Sequence, residues 1–484
     1  MLVDDLLAAS ADRRPEKTAV ICDGERWTYR QLDDASSRVA AWLADGGVVP
    51  GDRVAIWLEN SIALVAAIFG ILKAGGIFVV INARVTPDHA AAVASDSGAR
   101  ILIGRETVSD IQSAMRGTSR RRRSSRTEND VAALIYTSGS TGEPKGVMLT
   151  HRNLTAAAEA ISGYLGNTED DVILNALPLA FTYGLGQLTT AFGVGATVVL
   201  ERSFAYPRAI VDTMVRERVT GLPLVPTMAT LLLKQANGLR VPSLRYVTNA
   251  AAALAPAKLH GLLERFPGAR LFSMYGQTEC QRASYLPPEQ LAVRPESVGI
   301  PIPGTTAIVV DDFGRRVPPG VVGELIVRGP HVMAGYWNRP AATASVLRPA
   351  GSGERELQTG DLFRADAEGF LYFVARADDL IKVGGEKVAP KEIEHVIAEL
   401  PSVADVAVFG VPDDVLGEVV AAAITPMPGM TISADVVRRH CHGHLESFKV
   451  PRDVSVRASL PTTDTGKVSR RALRAAALAA ERPA

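Results

Sequence analysis

The feature that most constrains the fold is an order of apolar runs and helical patterns that repeats along the chain. Val54 to Glu59 (VAIWLE) reads as a buried strand, Ser61 to Lys73 as a helix, and Gly76 to Ile81 (GIFVVI) as a strand. Strands buried on both faces and joined through helices belong to parallel sheets covered by helices. The order returns at Ala196 to Leu200 (ATVVL), Tyr206 to Arg218 and Leu222 to Val225. A chain of 484 residues exceeds one ordinary core, so an α/β protein of more than one domain is expected.

Two stretches break the pattern. Gly117 to Asp130 (GTSRRRRSSRTEND) has no periodicity and reads as a solvated loop, with anion binding as the alternative. Val374 to Gly385 (VARADDLIKVGG) is charged and ends in glycines. Beyond it the patterns restart at Pro390 to Leu400 (helical), Val403 to Gly410 (strand-like) and Ser433 to Leu445 (helical). A boundary there leaves a C-terminal domain of roughly 100 residues. Residues 1–375 are then the large domain, 376–378 a hinge and 379–484 the small domain.

Composition narrows the functional classes. Lys+Arg and Asp+Glu are equal at 52 each, which removes any electrostatic case for nucleic acid or an anionic membrane. The apolar run Ile62 to Leu72 is too short to span a bilayer. The first residues lack the order of a signal peptide, and Cys22, Cys280 and Cys441 suggest no disulfide framework. A cytoplasmic location is expected.

The chemistry concentrates in "YTSGSTGEPKGV", Tyr136 to Val147, between a strand candidate at Val131 to Tyr136 and a helical pattern at Thr150 to Ser162. It therefore reads as a strand-to-helix connection. Glycines let backbone approach an anion, hydroxyls and N–H groups donate to it, and Lys145 adds a cation. The composition alone fits a flexible linker equally well. The P-loop order of Gly-x4-Gly-Lys-Ser/Thr is absent, because Pro144 precedes Lys145 and Gly146 follows it.

The order Thr-Ser-Gly-Ser-Thr-Gly-x-Pro-Lys-Gly is more specific than its composition, and four further motifs follow it. They are MYGQTE (Met274 to Glu279), TGD (Thr359 to Asp361), ARADDLIKVGGEKVAPKEIE (Ala375 to Glu394) and LPTTDTGKVSRRAL (Leu460 to Leu473). With these five the chain resembles the acyl- and aryl-adenylate-forming ligases: acyl-CoA synthetases, nonribosomal peptide synthetase adenylation domains and firefly luciferase. The resemblance implies a large N-terminal domain of sheets and helices and a small, mobile α+β C-terminal domain. It implies a two-step reaction. A carboxylate attacks the α-phosphorus of ATP to give an acyl adenylate and pyrophosphate; a thiol then takes the acyl group and AMP leaves.

The resemblance also implies site roles. Thr137, Ser138, Gly139, Ser140, Thr141, Gly142 and Lys145 would hold the β- and γ-phosphates. Tyr275 and Gly276 would lie against the adenine, Thr278 on the α-phosphate, and Glu279 on Mg2+. Asp361 and Arg376 would contact the ribose. Lys467 would serve adenylation, Asp378 would be the hinge residue, and Gly384 and Gly385 would line the thiol tunnel. The thiol is that of coenzyme A, or of a carrier protein's phosphopantetheine. A regulator that binds nucleotide without catalysis is the reading from another class, opposed by intact Lys145, Glu279, Asp361 and Lys467.

Two departures bear on the acid. "LPLAFTYGLGQ", Leu177 to Gln187, has no carboxylate to pair an α-ammonium, which disfavours an amino acid. Phe181 stands where fatty-acyl relatives often carry His. In "TNAAAALAP", Thr248 to Pro256, alanines replace the glycines usual there. These changes imply an acyl pocket tighter or differently shaped than in long-chain enzymes, with Phe181, Asn249, Ala250, Ala251 and Cys280 among its walls. The alternative is that the alanines merely pack a helix start, since Ala is a strong helix former. "HCHGH", His440 to His444, is read as helix rather than metal site, and "DDFG", Asp311 to Gly314, as a β-turn.

Overall fold

The computed structural model describes residues 1–117, 125–138, 144–235, 240–252, 254, 256–350, 354–462 and 468–480. They form two compact units. The first comprises Met1–Ala307 with Ile326–Gln358, the second Ile308–Leu325 with Thr359–Ala484.

The first unit holds the alternation read from the sequence. Strand Arg53–Ile56 pairs in parallel with Ile77–Val80 on one side and Ala99–Ile103 on the other. Helix Ile62–Ala74 connects the first two; the Ser61 side chain caps it by accepting from the Leu64 N–H. All four residues of Ile77–Val80 are buried, which is why its sequence is uninterrupted in apolar character. Strand Val131–Ser138 extends this sheet in parallel beside Ile77–Val80, and an antiparallel strand, Pro144–Thr150, follows.

A nine-stranded sheet forms the rest of the unit. Its centre is parallel: Thr197–Leu200, Val172–Asn175, Gly221–Leu224, Tyr246–Asn249 and Arg270–Tyr275. Short antiparallel strands, Ser284–Tyr285 and Ile300–Pro301, close one edge. In such sheets ligands gather beyond the carboxyl ends of the strands. Asn249 and Tyr275 stand at those ends.

In the second unit, strands Val403–Asp413 and Gly417–Pro426 form a long antiparallel hairpin. One face carries Ile381, Val388, Val408, Val420 and Ile424, packed with Ile393, Ile397 and Val437 of helices Pro390–Ala398 and Ala434–His444. The other face carries Ala407, Phe409 and Val411 with Leu473 of helix Arg470–Ala480. The unit is thus a sheet covered on both sides. The stretch read as a break is regular: strand Leu371–Arg376, one tight turn at Ala377–Asp379, then strand Ile381–Val383. Its charges occupy exposed alternate positions, which hid the strands.

Arg126, from the stretch read as a solvated loop, pairs with Asp4 at 2.9 Å, and both side chains are buried. Residues 118–124 lie outside the described residues. Asp311–Gly314 forms the expected turn, with the Asp311 N–H donating to the Arg315 carbonyl.

Candidate active site

The glycine–hydroxyl segment requires a correction. Thr137 pairs with Lys145 and Ser138 with Pro144 across an antiparallel ladder. The segment is therefore the end of a β-hairpin, and helix His151–Leu165 starts only after the second strand. Pro144, Lys145 and Gly146 are poor strand formers, and the Val-Met-Leu that follows is too short to show an alternation. Gly139, Ser140, Thr141 and Gly142 lie outside the described residues.

The hairpin is tied to the MYGQTE loop by a strand that sequence reasoning did not single out. Gly335–Tyr336 pairs with the second hairpin strand, Tyr336 opposite Val147. The Lys145 ammonium lies 5.5 Å from the centroid of the Tyr336 ring. The Tyr336 hydroxyl donates to Glu279 Oε1 at 2.8 Å, and the Met333 N–H donates to the Glu279 carbonyl at 2.8 Å. A cation, a phenol and a carboxylate from three distant parts of the chain thereby meet. The available signal was an aromatic residue after glycine within "GYWNRP", which is weak alone.

Tyr275 ends its strand opposite Ser284, and the chain then turns sharply through Thr278 and Glu279. Gly276 permits that turn. A Cβ there would lie 2.4 Å from the Gln281 carbonyl oxygen and 2.8 Å from Arg282 Cα. Gly276 is thus required for the loop to fold back on itself. The Gln277 side chain donates to the Tyr275 hydroxyl at 3.3 Å.

Within the second unit Asp361 and Arg376 are direct cross-strand partners. The Arg376 Nε is 3.6 Å from Asp361 and 3.1 Å from Asp378, so one guanidinium serves two carboxylates. Asp361 is buried, and its N–H donates to the Thr359 hydroxyl, which itself donates to the Leu325 carbonyl. Gly384 and Gly385, with φ of +58° and +93°, form the two-residue turn between Ile381–Val383 and Glu386–Val388. A turn with both central residues in the left-handed region selects glycine for backbone reasons alone. Lys467 lies outside the described residues. Three positions on, Arg470 pairs with Asp379 at 3.2 Å and with Glu394 at 2.7 Å.

A narrow recess with about 20 Å³ of free space opens between helices His151–Leu165 and Thr182–Val194 and the ends of two central strands. Tyr183, Gln187, Thr248, Gln281 and Arg282 make its polar wall; Ala157, Ile161, Leu165 and Met274 make its apolar wall. Phe181, Asn249, Ala250, Ala251 and Cys280 do not line it, although Thr182 and Thr248 adjoin two of them. Ala250 is core, and Cys280 is fully buried. Ala251 is exposed and has φ +74°, unusual for a side chain with a Cβ. Ala250, Ala251 and Ala252 precede helix Pro256–Arg265. Arg282 and Tyr183 were not anticipated.

The Tyr183 hydroxyl is 2.7 Å from the Thr248 hydroxyl, and burial pushes its pKa up to about 12. Of the histidine cluster, His440 and His444 come together with Glu399, ligand atoms within 4.8 Å. His440 Nε2 donates to the Val396 carbonyl at 2.9 Å, and a nitrogen so engaged offers no lone pair to a metal.

Comparison with known proteins gives the family and the fold. Residues 7–337 match the model of the AMP-binding enzyme family, and 392–467 match the AMP-binding enzyme C-terminal domain. A feruloyl-CoA synthase from Amycolatopsis sp is 35% identical, with 94% of each chain covered. A long-chain-fatty-acid–CoA ligase from Salmonella typhimurium is 31% identical, covering 97% of this chain and 93% of its own. ATP-bound MatB from Rhodopseudomonas palustris superposes with a TM-score of 0.89 at 32% identity, covering 98% of this chain and 99% of the other.

Proposed function

The chain belongs to the AMP-binding enzyme family, and we propose that its Thr137–Lys145 hairpin end holds the β- and γ-phosphates of ATP. The protein is an AMP-forming acid–thiol ligase: it activates a carboxylic acid as an acyl adenylate and passes the acyl group to coenzyme A. The observation that carries the site assignment is the Lys145–Tyr336–Glu279 contact, which gathers a cation and a carboxylate where Thr137 pairs with Lys145.

The barrier to adenylation is charge on phosphate oxygens, so donors and cations already in place lower it. Lys145 meets the phosphate tail. The Thr278 hydroxyl donates to the α-phosphate, and Tyr275 stacks against the adenine above the backbone turn at Gly276. Buried Asp361 accepts the two ribose hydroxyls, a pairing suited to a carboxylate. Lys467 bridges the reacting carboxylate and the α-phosphate as charge moves between them. Glu279 offers hard oxygen donors oriented by Tyr336, which fits Mg2+; the bound ion would neutralise phosphate charge.

Residues 379–484 turn about Asp378 between the two half-reactions, and Gly384 and Gly385 then border the thiol's path. The acid enters beside Phe181 and Asn249–Ala251, whose chain neighbours Thr182 and Thr248 line the recess. ATP and coenzyme A as co-substrates favour the cytoplasm.

Acid-dependent ATP–pyrophosphate exchange tests the first half, and AMP release with coenzyme A tests the second. Exchange with no acid of a broad panel would refute the reading. Exchange without coenzyme A turnover, but with loading of a phosphopantetheinylated carrier protein, would reassign the acceptor.

A further inference from the structure

The recess contains a charge that the protein does not balance. Arg282 is 4% exposed, and its Nε has no hydrogen-bond partner. Among the described residues no aspartate or glutamate lines the recess, and Arg282 has no ion pair. What faces it is aromatic. Its guanidinium carbon lies 5.0 Å from the centroid of the Tyr183 ring, and the Tyr164 hydroxyl is within hydrogen-bonding reach.

Neither phenol supplies a negative charge. Burial raises the pKa of both, so both stay protonated. The Tyr164 hydroxyl donates to Met274 Sδ at 3.0 Å, and the Tyr183 hydroxyl is held by Thr248. A buried guanidinium is normally paired, since a ring face replaces only part of its lost hydration. It is also always charged, so it cannot escape by losing its proton. The missing partner is therefore an anion that arrives from outside.

We propose that Arg282 determines acid specificity, and that the acid it selects carries a second carboxylate, received by the guanidinium while the first is adenylated. This rests on the ligase reading given above. A carboxylate is the group that a planar N–H fork grips in two places. Tyr183, Gln187 and Thr248 add neutral polar groups around it, and Ala157, Ile161 and Leu165 give the connecting carbons an apolar wall.

The test is pyrophosphate exchange by the full-length protein over matched pairs of acids. Each pair has the same carbon skeleton, one member with one carboxyl group and one with two, in aliphatic and benzoic series. The proposal expects the best diacid to exceed its monoacid partner in kcat/KM by at least tenfold. Arg282→Met should raise KM for the diacid by a hundredfold or more, leave KM for ATP unchanged, and bring the monoacid to parity. Arg282→Lys should fall between the two.

Monoacids equal to or better than their diacids in the unaltered protein would overturn the proposal without need of a variant. A uniform loss for every acid in Arg282→Met, with the ATP KM kept, would overturn it too, since Arg282 would then hold the reacting carboxylate. Exchange with no acid would remove the ligase reading and this proposal together, whereas monoacid-only exchange removes only this one.

Discussion

His151 should make the first unit acid-sensitive over a defined range. Its ring is 1% exposed, and Nδ1 accepts the backbone N–H of Val3 at 3.0 Å. Accepting requires that Nδ1 carry no proton. Burial is the largest influence and lowers the pKa from 6.5 to about 4; Asp4, Asp130 and Asp5 push it back up, and Arg126 pushes it down. The unfolded chain therefore binds a proton that the folded chain resists between pH 6.5 and 4. Stability from this group is fully present above pH 6.5 and lost as pH falls through 4. At about 1.4 kcal/mol per pH unit, the full loss is about 3 kcal/mol, with about 2 kcal/mol gone by pH 5.

The perturbation is His151→Gln, which keeps an acceptor without the titration. All four tryptophans, Trp27, Trp42, Trp57 and Trp337, lie in the first unit, so their fluorescence follows its unfolding in urea. Buried His331, whose pKa is also lowered to about 4, contributes equally to both proteins and cancels in the difference. The variant should be less stable than the parent at pH 7.5, and that gap should shrink by about 2 kcal/mol at pH 5. An unchanged gap would refute the reasoning.

Lys467→Ala should slow acid-dependent pyrophosphate exchange by about 100-fold or more, while thioester formation from supplied acyl adenylate stays near normal. Equal loss in both halves would count against its assignment. Tyr336→Phe removes the donor to Glu279 and should raise the Mg2+ concentration needed for half-maximal exchange, with little change in the melting midpoint. Ala251→Gly should raise the melting midpoint slightly, because a left-handed alanine costs about 1 kcal/mol that glycine avoids. Gly385→Val should destabilise the second unit through its turn at φ +93°, even in a preparation never exposed to thiol.

Much of this was legible because it is local. The parallel strands announce themselves as apolar runs, since both faces of Ile77–Val80 and Thr197–Leu200 are buried. The five motifs are contiguous, so their order identified the family. What escaped depends on pairings between distant residues. The Pro144–Thr150 strand pairs with Val131–Ser138 and Tyr336 on its two sides, while its own Pro-Lys-Gly start disfavours extension. Arg282 reads as one more surface arginine until Tyr183 and Tyr164 close around it. Gly384 and Gly385 show the converse: their motif position implied a role toward thiol, while their backbone angles are needed to turn the hairpin.

Arg376 holds two carboxylates at once, Asp361 at 3.6 Å and Asp378 at 3.1 Å. Two anions sharing one cation are in competition. A diol that occupies the oxygens of Asp361 loosens its grip on the guanidinium and leaves more of that charge to Asp378. On the proposed roles of Asp361 at the ribose and Asp378 at the hinge, nucleotide occupancy and the Arg376–Asp378 pair would be thermodynamically linked, each biasing the other by an equal free energy. If Asp378 is the proposed hinge, the departure of AMP would return Arg376 to both carboxylates without any separate signal.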